Sequence, residues 1–222
     1  MSKNILIICE GKAEYSLTEK IITKEIKNVE KLAEIEIEKM DQGEELKYIV
    51  GDKNVYLYDL GGETKLRGYI DVFLKNRLSD DINKMIFLMD ADNSKGEVSG
   101  FQRTKASLDD IIKLISLKSK EIECSFYILP NNQNDGMIED LCLSSLKCSS
   151  IVDYILSTTI PTVKEFKECN ITNNSKSAFM MVAATQNPLK AFSHHMISDC
   201  YKFFNPLEGD LKKLIDYIKN EI

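Results

Sequence analysis

Two apolar runs in this chain stop on carboxylates. Ile5-Leu6-Ile7-Ile8-Cys9 leads into Glu10-Gly11-Lys12-Ala13-Glu14, and Met85-Ile86-Phe87-Leu88-Met89 leads into Asp90-Ala91-Asp92. A short continuous apolar run reads as a strand buried on both faces of a parallel sheet. In open α/β sheets the crevice beyond the carboxyl ends of such strands is where ligands bind. Glu10, Asp90 and Asp92 would then converge on one divalent cation, Mg²⁺ or Mn²⁺, which takes hard oxygen ligands and keeps several waters. On an extended chain the two aspartates share a face about 7 Å apart, one suited to direct ligation and the other to ligation through water. For D-x-D alone the competing reading is a pair of solvated loop carboxylates; Glu10-Gly11 beside it favours the site.

Further elements must hold these acids in place. Strand-like runs fall at 4–9, 33–38, 54–58, 84–89 and 123–129. Helical patterns lie between several of them, at 14–28, 64–78 and 104–118, the last with Leu108, Ile111, Ile112 and Ile115 on one stripe. Strands alternating with helices of this length imply βαβ units and a mainly parallel sheet flanked by helices. After residue 136 the strand signal ends, and helices separated by Pro161, Asn187-Pro188 and Asn205-Pro206 follow. The expected organisation is an α/β core over 1–147 with a helical C-terminal extension over 148–222 packed on it. Asp59-Leu60-Gly61-Gly62 reads as a tight strand-to-helix turn or a close backbone approach.

Composition narrows the classes. The 222 residues carry a net charge of −6, which argues against a broad basic face holding nucleic acid through phosphate contacts alone. Metal ions or a partner would have to supply much of the positive charge. Six scattered cysteines, with no C-x-x-C, read as reduced cytosolic thiols rather than a disulfide framework or zinc site. No apolar stretch approaches the roughly 18 residues that span a bilayer, so the expectation is a cytoplasmic protein with no membrane role. His194-His195 does not read as a metal pair, because adjacent helical residues diverge by about 100°.

The Glu-Gly at the end of the first strand, Glu14 four residues on, and the later strand ending in D-x-D resemble the Toprim domain of topoisomerases, primases, small ribonucleases and OLD-type (overcoming lysogenization defect) nucleases. The likeness extends in order through Asp59-Leu60-Gly61-Gly62, Leu129-Pro130-Asn131-Asn132, Gly136-Met137-Ile138-Glu139-Asp140-Leu141, Ser175-Lys176-Ser177-Ala178 and Ala183-Ala184-Thr185-Gln186-Asn187-Pro188. Over most of its length the chain thus resembles a family of small bacterial Toprim-like proteins related to the OLD nucleases. That resemblance implies a Toprim-like, Rossmann-type fold.

It also implies roles. Glu10 matches the Toprim glutamate, a general acid/base or metal ligand, and Asp90 and Asp92 match the metal-binding aspartates. Glu14 sits where OLD-like members are often acidic and counts among the candidate metal ligands, Glu139 resembles an additional acidic ligand for a second metal, and Lys176 resembles a lysine that stabilises charge on a phosphoryl group. Plainer readings stand beside these: Glu139 and Asp140 also suit the first turn of a helix through its macrodipole, and Lys176 also reads as a solvated lysine at a helix start. Two cations about 4 Å apart would support phosphodiester hydrolysis, so the implied function is a nuclease acting on DNA or RNA, within an anti-phage defence system by the same analogy. The transesterifying tyrosine domain of topoisomerases and the zinc module of primases have no room here, and Ser94 stands where an extended D-x-D-x-D would have its third acid.

The second implied reading is a Toprim subunit, non-catalytic or activated by a partner, working with a separate ATPase, since the chain has no G-x-x-x-x-G-K-[ST]. A haloacid-dehalogenase-type phosphatase would need its D-x-D after the first strand, and a glycosyltransferase would leave Glu10-Gly11 unexplained.

Overall fold

Strands that bury both faces need a helical layer on each side, and the computed structural model has that arrangement. It describes residues 3–32, 45–75, 81–94, 96–118, 121–147, 149–185, 197 and 200–222. The elements are β1 (Lys3–Cys9), α1 (Lys12–Glu25), β2 (Val29–Leu32), β3 (Glu45–Val50), β4 (Lys53–Asp59), α2 (Leu66–Phe73), β5 (Lys84–Asp90), α3 (Gly100–Lys118), β6 (Glu123–Leu129) and α4 (Ile138–Ser144). The C-terminal part adds α5 (Ser149–Tyr154), a π-helical turn (Ile155–Thr159), α6 (Ile160–Lys164), α7 (Asn174–Ala184), α8 (Cys200–Phe203) and α9 (Gly209–Glu221).

The six strands lie in the order β2-β3-β4-β1-β5-β6. The β4-β1, β1-β5 and β5-β6 ladders are parallel, while β2-β3 and β3-β4 are antiparallel. The sheet is therefore mainly parallel, flanked by helices and followed by a helical C-terminal extension. Period-two alternation divides each apolar run between two cores. Ile5, Ile7 and Cys9 pack with Ile21 and Ile22 of α1 and with Phe179, Val182, Leu214 and Ile218 of the C-terminal helices. Leu6 and Ile8 face the other way, onto Leu66 and Ile70 of α2 and Leu108 and Ile115 of α3. The C-terminal helices thus complete the layer that α1 begins. Among the described residues, no helix is long and apolar enough to cross a membrane.

Several boundaries differ from the sequence expectation. The expected strand at 33–38, Asn187-Pro188 and the His194-His195 pair lie outside the described residues. β2 and β3 fall on either side of that gap. α3 starts at Gly100 rather than 104, because its first backbone N–H groups find acceptors: Phe101 donates to Asp135 at 2.8 Å and Gln102 to the Ser99 hydroxyl at 3.3 Å. Pro161 does not break the helix: helical structure runs from Ser149 to Lys164 with Pro161 in the first turn of α6. A proline has no N–H to give the carbonyl four residues back and its ring crowds that carbonyl; the preceding turn widens to π geometry, which makes room for it.

The β6 edge ends in a small closure. Leu129 O and Glu123 N bond on the β5 side, so Ile128 turns its peptide groups outward. The Ile128 N–H donates to the Asn132 side-chain oxygen at 3.1 Å, and the Asn132 N–H donates back to the Ile128 carbonyl at 2.6 Å. Asn132 reaches this position with φ 61°, a left-handed conformation that asparagine tolerates.

Candidate functional site

The four parallel strands end together, at Cys9-Glu10, Asp59, Asp90 and Leu129. β1 lies between β4 and β5, with α1 on one face and α2 and α3 on the other, so the crevice opens beyond β1 and β5. Glu10 is the first residue past β1. Its carboxylate accepts the Asp90 N–H at 3.0 Å and the Glu63 N–H, and its carbonyl accepts the Gly62 N–H at 2.8 Å. Gly61 and Gly62 have φ values of 71° and 125°, which explains the paired glycines: the turn leaving β4 folds back on Glu10. Asp59, which sequence reasoning left as a turn residue, is buried and accepts the Gly61 N–H at 2.9 Å.

Glu14 lies in the first turn of α1, buried, and its carboxylate accepts the Gly11 N–H at 2.9 Å. That is the reach-back half of a capping box, and the sequence signal for it is an acid three residues after the N-cap. Burial pushes the Glu14 carboxyl up to about 7, with the charges of Glu10 and Glu139 adding to the rise. Asp90 is raised well above the usual carboxylate range by burial first, then by Glu14, Glu10 and Glu139, against a 2.9 Å hydrogen bond donated by the Ile138 N–H. Glu10 is raised by burial and by Asp92 and Glu63, against the Asp90 N–H. Burial also raises Glu139, and Lys176 pulls it back down.

The fold therefore brings Glu14 and Asp90 within electrostatic reach of both Glu10 and Glu139, Asp92 within reach of Glu10, and Lys176 within reach of Glu139. Lys176 is exposed at the start of α7, where its N–H donates to Asn173 at 2.8 Å. Glu139 and Asp140, which had the same plain reading, separate. Glu139 turns into the acidic cluster, while Asp140 accepts the Met137 N–H at 2.9 Å and the Ser175 hydroxyl, tying α4 to α7.

Asp92 departs from expectation in one respect. With φ 60° it is left-handed, so the extended-chain spacing of D-x-D does not apply. The chain turns there so that the Asp92 carbonyl accepts the Gly136 N–H at 3.0 Å.

Hard oxygens are the donor set that Mg²⁺ or Mn²⁺ takes, and crowded carboxylates with raised pKa are what a cation would relieve. As the side chains stand, no group of three or more His, Cys, Asp or Glu among the described residues is drawn together closely enough to hold a metal ion. The described cysteines Cys9, Cys124, Cys142 and Cys169 are in no disulfide, and burial pushes the Cys9 thiol up.

The family model described as "Protein of unknown function (DUF3226)" matches residues 4–221. No curated protein matches the chain. Among solved structures, a hypothetical protein from Pyrococcus horikoshii OT3 is 11% identical with a TM-score of 0.58, covering 99% of this chain and 95% of its own. At that identity the likeness shows an α/β fold in common and nothing of function. The cytosolic domain of L. pneumophila FeoB is 12% identical and covers 98% of both chains, but its TM-score of 0.28 carries no argument.

Proposed function

The chain belongs to the DUF3226 family, and on that premise we propose that it is a metal-dependent phosphodiester hydrolase of Toprim/OLD-like type, a cytoplasmic nuclease acting on DNA or RNA. The observation that carries the reading is the meeting of Glu10, Glu14, Asp90 and Glu139 beyond the parallel strands, each with its carboxyl pKa raised. Structural acids are ordinarily paired or solvated; buried acids gathered in a crevice with raised pKa are candidates for a functional site. Glu10, Asp90, Glu139 and, through Glu10, Asp92 would hold Mg²⁺ or Mn²⁺. When bound, the ion polarises a phosphodiester and lowers the pKa of water.

The chain's own residues supply the rest. The N–H groups of Asp90 and Glu63 orient the Glu10 carboxylate, which is the candidate general acid/base. Glu14, poised at about 7, holds or gives up a proton near neutrality from the buried side of the cluster. Lys176 lies beyond Glu139 at the solvent-facing rim, where its ammonium would meet a phosphate oxygen.

Titration calorimetry with Mn²⁺ and Mg²⁺ on the wild type and Asp90→Asn, with the same samples given labelled DNA and RNA, tests the reading. Metal binding and cleavage lost together in the variant support it. A wild type that binds no metal and cuts nothing sinks it in favour of the second reading, a Toprim-like subunit completed by a separate ATPase. The spacing of the carboxylates as they stand favours that alternative, and the exposed Tyr154 and Phe166 of the C-terminal extension would give a partner apolar footing.

A further inference from the structure

Asp135 belongs to neither strand nor helix, and nothing in the sequence marked it. It lies in the 130–137 connection between β6 and α4, yet its carboxylate gathers donors from the other side of the site. The Ser99 hydroxyl reaches it at 2.7 Å, the Phe101 N–H at 2.8 Å, and the Ser94 hydroxyl and Gly100 N–H bond it too. These donors are the loop that leaves Asp90-Ala91-Asp92 and the first turn of α3.

Next to Asp135, Gly136 donates its N–H to the Asp92 carbonyl at 3.0 Å, and two residues on, Ile138 donates to the Asp90 carboxylate at 2.9 Å. The fit is tight on the far side as well. A Cβ at Gly100 would stand 2.3 Å from the Asp92 carbonyl oxygen and 2.4 Å from that of Ala91. The start of α3 is thus pressed against the backbone of the D-x-D segment, and Asp135 fastens it there.

We propose that Asp135 is the positioning residue of this site: it binds Ser94, Ser99 and the start of α3 to the β6-α4 connection and so fixes where the Asp92 carboxylate stands. It is not itself a ligand, because its oxygens are already taken by hydroxyl and backbone donors. These same bonds, that of Ser94 first, hold its carboxyl well below the usual carboxylate range, so it stays an acceptor across the working pH. The Ser94 hydroxyl, standing where a third acid of D-x-D-x-D would be, serves as a tether to an acid contributed by another segment.

Its effect on affinity rests on the metal-site reading; its effect on the loop does not. The test therefore has two readouts on wild type, Asp135→Ala, Asp135→Asn and the milder Ser94→Ala. Amide hydrogen exchange by NMR follows the Gly136 N–H, which bonds Asp92 and not Asp135. Mn²⁺ titration follows the site. Asp135→Ala is expected to speed Gly136 exchange at least about tenfold, as local opening no longer has to break the Asp135 bonds. Mn²⁺ binding should weaken by about 10–100-fold, the usual effect of removing a group that orients a ligand.

Asp135→Asn, which keeps one acceptor oxygen, and Ser94→Ala, which removes one donor, should fall between. Gly136 exchange equal to wild type in Asp135→Ala overturns the proposal. So does faster exchange with unchanged Mn²⁺ affinity, or an Asn variant no better than Ala. If the wild type takes up no Mn²⁺ at all, the metal reading falls, and the Gly136 comparison alone still decides whether Asp135 fixes the Asp92 segment.

Discussion

The two ends of the parallel sheet treat charge in opposite ways. At the amino ends of the strands, the Lys84 ammonium sits 2.6 Å from Glu221 of α9 and 3.3 Å from Glu123 of β6. Ser125 donates to the same Glu221 carboxylate at 2.7 Å, and Tyr217 donates to Ser125 at 3.0 Å. Burial pulls Lys84 down, but the two glutamates outweigh it and hold its pKa above the usual value. At the carboxyl ends burial raises Glu10, Glu14 and Asp90, the Glu10 charge adds to the rise of Glu14 and Asp90, and Lys176 acts on Glu139 from the rim. One end has paired its charges in folding; the other has gathered like charges at a cost to stability. A cost concentrated at one place in a fold is better explained by what that place does than by what it holds together.

The comparison breaks first on activity. Glu10→Gln and Asp90→Asn should each lower metal-dependent cleavage by about 10²–10³-fold, the usual loss when one preorganised group is removed from a reacting centre, with circular dichroism unchanged. Normal cleavage in both variants would show that the acidic end is not the site. At the other end, Lys84→Met should leave cleavage alone and lower unfolding free energy by about 2 kcal/mol in urea melts, because it strands a partly buried Glu221 carboxylate. A loss below about 0.5 kcal/mol would mean that the pairing there is ornamental.

The pH response should also differ between the ends. An unfolded Glu14 loses its proton near 4.5, whereas the folded one keeps it to about 7. The folded state therefore binds more protons across that window, and stability should fall as pH rises from 4.5 to 7, on the order of 3 kcal/mol. Urea midpoints of the wild type against Glu14→Gln would measure it; a fall equally steep in the variant would assign the dependence elsewhere. For Lys84 the slope has the same sign but lies in a different window: its stabilisation is complete below the unfolded value of 10.5 and is lost only as pH rises through the higher folded value.

The smallest expected effect sharpens the contrast most. In metal-free buffer Asp90→Asn should raise stability by about 1 kcal/mol, since an amide relieves a desolvated charge among like charges. A fall in melting temperature would mean that the acids are held in balance as they are.

The parallel strands were legible because burial on both faces leaves a run that only one arrangement satisfies. The runs expected at 54–58 and 84–89 are β4 and β5 to within a residue, and 123–129 is β6 as it stands. β2 and β3 were not, because their charged residues, as in Val29-Glu30-Lys31-Leu32, match a solvated stretch as well as an antiparallel edge. Glu10, Asp90 and Asp92 could be named because strand ends mark them, whereas Glu14 and Glu139, on helices, were named only through the resemblance. Asp135 and Asp140 could not: each acts through hydroxyl or backbone partners about 35 residues away in sequence, a pairing that no local spacing encodes. Gly100 is silent for a related reason, since its need for a bare Cα arises from a loop that meets it only in the folded chain.

The Asn132 closure governs growth of the sheet. A bare strand edge invites another chain to add itself, hydrogen bond by hydrogen bond. Here the outward peptide of Ile128, the last such position of β6 before the acidic crevice, is already taken by Asn132. A strand laid along β6 would meet the other outward-turned peptides, Phe126 and Cys124, farther from the carboxylates. Whatever reaches those carboxylates must then arrive over the strand ends rather than as a seventh strand, and the crevice is kept from becoming a seam between molecules.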